Sequence, residues 1–227
     1  MEPHSTQVVK TRRGEVSASA TRRVILDAAR LLFLEHGYHG TTVQAVAREA
    51  GVAVQTIYNS IGSKPKLLHR VFFEAVAGDD TSPPPHVVLR EEAERCDTPE
   101  EIIHVLVDFW GTALPRAAPI FAVIDEAAAT DIDIRTLRRR NEDDRLGNYE
   151  QPVMLIDRLG GLPSNLTIQE AAARVYAIGH HDMYRKLVLE RGWTVDEWCT
   201  WSERSLLTLL VEPQDSPRRT TTKIKSA

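Results

Sequence analysis

The stretch "TTVQAVAREAGVAVQTIYNSIGSKP", residues 41–65, constrains the fold most, because it enforces two short helices with a tight turn between them. Gly51 supplies the left-handed backbone that such a turn requires. Ala47 is small enough for the helices to cross closely, and Ile57 is the apolar residue that faces back from the second helix. This spacing predicts a helix-turn-helix unit. An ordinary corner between two helices of a helical protein is the alternative.

The remaining sequence also has a helical pattern. Apolar residues at i, i+3 and i+4 predict a helix from about residue 19 to Gly37, and Pro65 opens another helix that runs to about residue 77. We find no strand pattern and predict an all-α chain. Its predicted parts are a flexible basic arm (1–17), a helix-turn-helix domain (18–63), a bundle with a connector helix (64–211; 64–77) and a disordered tail (212–227).

Within the bundle, two proline positions and two capping boxes indicate where helices begin and end. A short helical piece is expected at about 87–95. Gly147 and Pro152 should weaken or kink the longest helix. The predicted long helices cover about 99–115, 118–129, 134–159, 168–190 and 195–210.

Charge is distributed unevenly along the chain. Residues 1–70 hold ten Lys/Arg and five Asp/Glu, whereas the rest of the chain holds 18 Lys/Arg and 27 Asp/Glu. A basic N-terminal third favours a polyanionic partner, although chance variation in surface charge is the alternative. No apolar run reaches the ~20 residues that span a bilayer, and two unrelated cysteines make no disulfide framework. We expect a cytoplasmic protein with no membrane contact.

Residues 54–60 are the candidate recognition helix, since Ile57 faces inward and leaves the polar residues facing outward. Gln55 and Asn59 lie one turn apart, and their amides suit adenine edges. Side chains near helix starts suit phosphate oxygens. The candidate DNA-contacting residues are Thr41, Thr42, Val54, Gln55, Thr56, Tyr58, Asn59 and Lys64.

From Thr21 to Phe73 the order "HGY…TTV…AGV…TIY…SK…LL" resembles the TetR family of bacterial one-component transcriptional regulators. The resemblance implies three N-terminal helices for DNA, a fourth as connector, and a C-terminal bundle for ligand binding and dimerisation. The C-terminal half is similar to actinobacterial-type members. By this resemblance, the DNA-contacting positions are Thr42, Gln55, Thr56, Tyr58, Asn59 and Lys64.

The chain departs from the family pattern in and just after the recognition helix. Ala53 and Val54 stand where the family often has Ser and Lys, and Ile61 replaces a bulky aromatic residue. Ala53 is a poor helix cap, and Val54 removes a charge that would bind phosphate. DNA binding is still expected, but the operator sequence does not follow from these residues.

The last two helices are the dimerisation candidates, and the resemblance implies a four-helix interface between two copies. Burial of the same stripes in the monomer core is the alternative, and both can hold at once. The stripe of helix 168–190 comprises Ala172, Val175, Tyr176, Gly179, Met183 and Leu187. That of helix 195–210 comprises Val195, Trp198, Trp201, Ser202, Ser205, Leu206, Leu209 and Leu210.

The resemblance places a ligand pocket among the bundle helices. The helix over 134–159 carries a stripe that is apolar at both ends and polar between, which suits a cavity wall or, as the alternative, a solvated face. The members of this stripe are Leu137, Asn141, Asp144, Asn148, Gln151 and Leu155. The candidate ligand-binding residues are His104, Phe109, Trp110, Phe121, Asp144, Asn148, Tyr149, Tyr176 and His180.

The sequence "GHHD" raises the question of a metal site. Adjacent helical residues point about 100° apart, so His180 and His181 are not expected to share a metal ion. We predict no metal, no cofactor and no enzymatic activity, since the chain lacks a nucleophile motif, a phosphate-binding glycine loop and a His-Glu-x-x-His element.

These observations predict a sequence-specific DNA-binding regulator. The expected protein is a homodimeric repressor, and a small-molecule ligand releases it from a pseudo-palindromic operator on double-stranded DNA. The first alternative is a TetR-like DNA-organising protein regulated by a protein partner. The second is a helical enzyme or ligand carrier with a vestigial DNA domain.

Overall fold

A computed structural model describes residues 7–78 and 83–211, with side chains from residue 18 onward. All regular elements in these ranges are helices. They are α1 (Gln7–Gly40), α2 (Val43–Glu49), α3 (Val54–Ser60), α4 (Lys64–Ala77), α5 (Pro85–Ala93), α6 (Pro99–Ala128), α7 (Ile132–Asn148), α8 (Glu150–Arg158), α9 (Ile168–Ile178), α10 (His181–Tyr184), a π-helical segment (Arg185–Glu190) and α11 (Val195–Leu210).

Helix α1 differs from the sequence-based expectation at its start. It begins at Gln7, so much of the predicted flexible arm is helical. This segment has no proline, and adding residues to an existing helix is far easier than nucleating one. At its other end the helix is interrupted at Gly37, whose φ is 67°. Residues 1–6 and the predicted disordered tail 212–227 lie outside the described residues.

The small helices α2 and α3 form the predicted helix-turn-helix. Thr42 caps α2, its hydroxyl accepting from the Ala45 amide at 3.0 Å. Gly51 makes the turn with a φ of 65°. The core shared with α1 and α4 is apolar and fully or nearly buried: Ile25, Leu26, Phe33, Val43, Val46, Ala47, Ile57, Leu67 and Leu68.

Helix α6 is the central element of the bundle and contacts α1, α4, α7 and α11. It runs unbroken from Pro99 to Ala128, so the prediction of two helices separated near Pro115 was wrong. Each internal proline removes one backbone hydrogen bond at a cost of about 3 kcal/mol. Buried residues before and after Pro115 and Pro119 pack on neighbouring helices, which holds the two halves in one axis.

Two other predicted helices are divided. The one expected over 134–159 breaks at Tyr149, and Pro152 falls in the first turn of α8, where its missing N–H costs little. The one expected over 168–190 ends at Gly179. A Cβ at Gly179 would lie 2.3 Å from the Trp110 ring, so the backbone approaches that ring closely. In the described ranges no helix is both long and apolar enough to cross a membrane.

Candidate functional site

Helix α3 presents a polar outer face. Gln55, Tyr58 and Asn59 are exposed, and the Gln55 amide donates to Asn59 Oδ1 at 2.8 Å. Val54 and Thr56 are half-buried at the edges of this face. Ile57 is fully buried, as its spacing predicts. The two amides therefore stand together on the surface, where they can address an external hydrogen-bonding partner.

The structure separates Thr41 from Thr42. The Thr41 side chain is 1% exposed, and its hydroxyl donates to the carbonyls of Leu32 at 2.9 Å and Gly37 at 2.8 Å. The predicted contact of the Thr41 side chain with DNA does not fit this geometry, because its hydroxyl is already bonded to carbonyls of α1. Thr42 is exposed at the start of α2 and keeps a position suited to phosphate.

Lys64 begins α4 and lies half-buried with its ammonium 4.0 Å from the centre of the Tyr38 ring. Burial lowers the pKa of Lys64, although the charge of Asp131 opposes the change. Burial and nearby carboxylates raise the pKa of Tyr38 to about 12. Next to Tyr38, the His39 ring is 2.9 Å from the Thr130 hydroxyl. The N-terminal unit is therefore joined to the turn between α6 and α7.

A cavity of about 280 Å³ opens among α4, α5, α6, α7 and α8. Its floor consists of buried side chains, whereas exposed polar side chains from α5, α7 and α8 stand around its rim. The floor comprises Trp110, Ala113, Leu114, Ala117, Phe121, Tyr149 and Pro152. The exposed rim comprises His86, Arg90, Asp144, Asn148 and Gln151. A cavity with apolar walls and a few polar groups is the usual form of a small-molecule site.

Six of the nine predicted ligand-binding residues line this cavity: Phe109, Trp110, Phe121, Asp144, Asn148 and Tyr149. The polar stripe of the 134–159 segment also faces it through Asn141 and Gln151, so the cavity-wall interpretation fits better than a solvated face. His104, Tyr176 and His180 are not among the lining residues. His104 lies on the outer surface, 3.2 Å from Glu203, and the other two lie behind the wall.

Two walls of the cavity were missed in the sequence. Helix α4 contributes His69, Phe72, Phe73 and Val76, and α5 contributes His86, Leu89 and Arg90. The α4 set follows helical spacing and alternates with the buried residues Leu67, Leu68 and Val71, which belong to the core. That periodicity was a usable signal, but without the fold it does not tell a cavity wall from a packed interface.

Glu142, which lines the cavity beside Arg145, is the centre of a polar network. Its Oε2 accepts from the Tyr176 hydroxyl and from Arg145 at 3.2 Å, and lies 3.5 Å from His180 Nε2. Burial alone would raise the pKa of Glu142, but the bonds from His180 and Tyr176 and the charge of Arg145 lower it to about 2. Glu142 is therefore a carboxylate that is already occupied by internal partners.

The two histidines of "GHHD" are closer than helical geometry predicts. Their rings stack with centroids 4.2 Å apart, because His180 has extended backbone angles and caps α10 rather than belonging to a helix. Their donor atoms and those of Glu142 lie within 4.8 Å of one another. Arg145 contacts both Glu142 and His181, so a cation already stands among these groups. The absence of a metal stays a prediction.

A shallow groove lies on the outer surface beside α11. Apolar and small side chains form most of it: Ile178, Trp193, Trp201, Ser205, Thr208 and Leu209. The opposite side of α11 packs into the protomer core through Trp198, Ser202, Leu206 and Leu210. The predicted α11 stripe thus divides into an inner face and an outer face.

Comparison with known proteins adds independent information. Residues 25–71 match the family model described as bacterial regulatory proteins, tetR family. This segment covers the second half of α1, the helix-turn-helix and about half of α4. No curated protein sequence matches the chain.

Several solved structures share the fold over nearly the whole chain. NalD, the secondary repressor of the MexAB-OprM multidrug efflux pump in Pseudomonas aeruginosa, has a TM-score of 0.69 and 20% identity, covering 88% of this chain and all of its own. A regulator from Saccharomonospora viridis in complex with choline has a TM-score of 0.65 and 21% identity, and the match covers 86% of this chain and 100% of that chain. The fatty acid degradation regulator FadR from Bacillus halodurans has a TM-score of 0.63 and 21% identity, and the match covers 82% of this chain and 94% of that chain.

Proposed function

The chain is a transcriptional regulator of the TetR family, and from this premise we propose that it is a homodimeric repressor released from DNA by a small molecule. One observation carries the proposal. Helix α4 lines the cavity with His69, Phe72, Phe73 and Val76, and the same helix packs Leu67 and Leu68 into the DNA-binding core. A change in the cavity therefore acts directly on the helix that supports the recognition helix.

For DNA, we propose that Gln55 and Asn59 read base edges in the major groove. They are exposed side by side on α3, and amides pair with adenine N6 and N7. Thr42, Val54, Thr56, Tyr58 and Lys64 surround them as contacts to phosphate or to neighbouring bases. The bond between the two amides would open when each turns to a base.

For dimerisation, we propose that the outer groove beside α11 is the contact between two copies. Trp193, Trp201 and Leu209 give this surface an apolar centre, and Ser205 and Thr208 allow helices to approach closely. A two-fold axis there brings the two recognition helices to half-sites about 34–36 Å apart on a pseudo-palindromic operator. A ligand that binds better to a conformer with another spacing releases the DNA.

The similar structures support the repressor assignment, since NalD is named as a repressor, and the regulator from Saccharomonospora viridis holds choline. The cavity supports a small-molecule ligand over regulation by a protein partner, because a well-packed bundle would suit a protein partner better. Function in the cytoplasm follows from the proposed role on DNA.

Selection of binding sites from random duplex DNA tests the DNA-reading part. We expect a two-fold-symmetric motif with the wild-type protein, and its loss or relaxation with Gln55→Ala/Asn59→Ala. Gln169→Ala, an exposed amide change on α9, is the matched control and should preserve the motif. Folded dimeric protein that enriches no motif would refute sequence-specific DNA binding.

Analytical ultracentrifugation tests the dimer. Trp201→Glu places a charge in the outer groove and should convert the dimer to monomer, with loss of operator binding. Leu31→Glu changes another exposed apolar residue, on α1 and 52% exposed, and should leave the dimer intact. If Trp201→Glu remains dimeric, the dimer interface does not lie in the groove beside α11.

A further inference from the structure

The cavity changes character from its floor to its rim. The floor residues Trp110, Leu114 and Phe121 are buried and apolar, whereas the rim residues Asp144 and Gln151 are exposed. A molecule bound here therefore places its apolar part on α6. Any polar group that it carries into the interior must be met by polar atoms of the floor, because a buried polar group without a hydrogen bond is costly.

One such atom is the Tyr149 hydroxyl. It accepts a hydrogen bond from Trp110 Nε1 at 3.0 Å. No residue in the described ranges accepts its own hydrogen, and the side chain is 5% exposed and lines the cavity. This hydroxyl is therefore a buried donor with an unused hydrogen beside the cavity.

A second unused donor is Nε of Arg145. This nitrogen is buried and has no hydrogen-bond partner in the described part of the chain. Its two terminal nitrogens are engaged, one 3.4 Å from His181 Nδ1 and the other 3.2 Å from Glu142 Oε2. The guanidinium also lies over the rings of Tyr176 and Phe121, so its position is set by the surrounding side chains.

The two donors belong to one site. Arg145 and Tyr149 are four residues apart at the end of α7 and both line the cavity, and residues at this spacing share a helix face. Both donors call for an oxygen acceptor. Beside these donors a cation is disfavoured, because Arg145 repels it and Glu142, the half-buried carboxylate there, is already bonded to Arg145 and Tyr176. The other lining carboxylate, Asp144, is exposed on the rim.

We propose that the cavity recognises an amphiphile with an apolar chain or ring against the α6 floor and an oxygen acceptor, a carbonyl or carboxylate, bonded to Tyr149 and Arg145. This inference rests on the proposed function insofar as that molecule is the effector. It identifies the ligand by the atoms that receive it: one apolar body and one acceptor head group, neutral or anionic.

Three probes with the same ten-carbon chain and different head groups test the proposal by calorimetric titration of the full chain without DNA. Decanoate and 2-decanone carry an acceptor, whereas decyltrimethylammonium carries a cation and none. We expect both acceptor probes to bind at least about tenfold more tightly than the cation, since 1.4 kcal/mol is a factor of ten and hydrogen bonds to charged groups are worth that much.

Variants assign the effect to the site. Tyr149→Phe should weaken both acceptor probes about tenfold and leave the cation unchanged. Tyr184→Phe, the same change at a buried tyrosine outside the cavity, should leave all three affinities unchanged. If Tyr149→Phe does not fold, the order of the affinities of the three probes for the wild-type protein tests the proposal.

The inference is overturned if the cation binds as tightly as decanoate, if no probe binds up to its solubility, or if Tyr149→Phe retains full affinity for both acceptors. These outcomes are separate from those of the operator experiment. Acceptor binding without DNA release would uphold the site and refute its role as the effector site. Operator binding by a protein that shows no preference for acceptor probes would uphold the DNA-binding regulator and refute the proposed acceptor site.

Discussion

In the N-terminal unit the residues proposed to contact DNA stand on the outside of α3, whereas in the bundle the residues around the cavity face inward. Gln55 and Asn59 contribute nothing to the apolar core, so selection can change them without loss of stability. Trp110 and Tyr149 both pack the bundle and line its cavity. Function and stability are therefore separable in the first region and shared in the second.

The largest effect that follows from this difference is expected at Gly179. A Cβ there would lie 2.3 Å from the Trp110 ring, and overpacking of this kind costs about 1–3 kcal/mol or more. Gly179→Ala should lower the free energy of unfolding in urea by about 3 kcal/mol and change Trp110 fluorescence.

Gly147→Ala is the matched control for that change. Gly147 is helical, and a Cβ there meets no atom within 4 Å. The substitution should be neutral or stabilise by up to about 1 kcal/mol. Equal stability of the two variants would show that the cavity floor is looser than the described packing.

The second effect concerns pH and Glu142. Its pKa is about 2 in the folded protein against an ordinary 4.5. Its stabilising contribution is therefore full above pH 4.5 and is lost as the pH falls toward 2. We expect Glu142→Gln to cost about 2 kcal/mol at neutral pH and to flatten the acid-side dependence of the unfolding free energy.

Asp143→Asn, an exposed change on the same helix, is the control for Glu142→Gln and should keep the wild-type dependence on pH. Urea denaturation at intervals from pH 6 down to the onset of acid unfolding measures all three proteins. If Glu142→Gln and wild type run parallel over that range, the network around Glu142 does not stabilise the fold.

A third effect tests the link between the two regions. Arg116 on α6 donates to the carbonyls of Ala75 at 3.1 Å and Val76 at 3.4 Å, at the end of α4 where helix carbonyls lack intrahelical partners. Arg116→Met should cost about 1 kcal/mol and increase amide exchange in α4. Arg140→Met, a change at an exposed residue of α7, is the control and should change neither the stability nor the amide exchange in α4. Equal amide exchange in α4 for the two variants would show that Arg116 does not stabilise the connector helix.

The smallest effect lies wholly in the N-terminal unit. Ala53 has the extended backbone of a helix cap but makes no capping bond to α3. Ala53→Ser should stabilise by about 1 kcal/mol, and Thr42→Ala, which removes a capping bond from α2, should destabilise by a similar amount. Thermal melts measure both. A destabilising Ala53→Ser would show that the start of α3 is fixed by contacts other than its cap.

Much of the N-terminal unit was predictable from the sequence because its determinants are local. Ala47, Gly51 and Ile57 specify two short helices and their turn, and the start of α4 is marked by Ser63 and a proline. Which of two adjacent threonines faces inward was not predictable. The Thr41 hydroxyl bonds to the carbonyls of Leu32 and Gly37, a geometry that depends on how the end of α1 turns at Gly37.

In the bundle, helical periodicity and capping boxes located α9 and α11, and a polar stripe correctly marked one cavity wall. Where these helices end depends on contacts with other parts of the chain. Gly179 ends α9 against Trp110, a residue of α6, and Pro115 leaves α6 unbroken because buried contacts on both sides hold its axis.

By itself, the sequence determined the all-α class, the helix-turn-helix and the outward amides, since these depend on residues within a few positions of one another. The tertiary structure alone decided that α4 and α5 close the cavity, that Tyr149 and Arg145, which both line it, each keep an unused donor, and that His180 and His181 stack. The physical reason is that burial and hydrogen-bond satisfaction depend on side chains far apart in the chain, which no local pattern encodes.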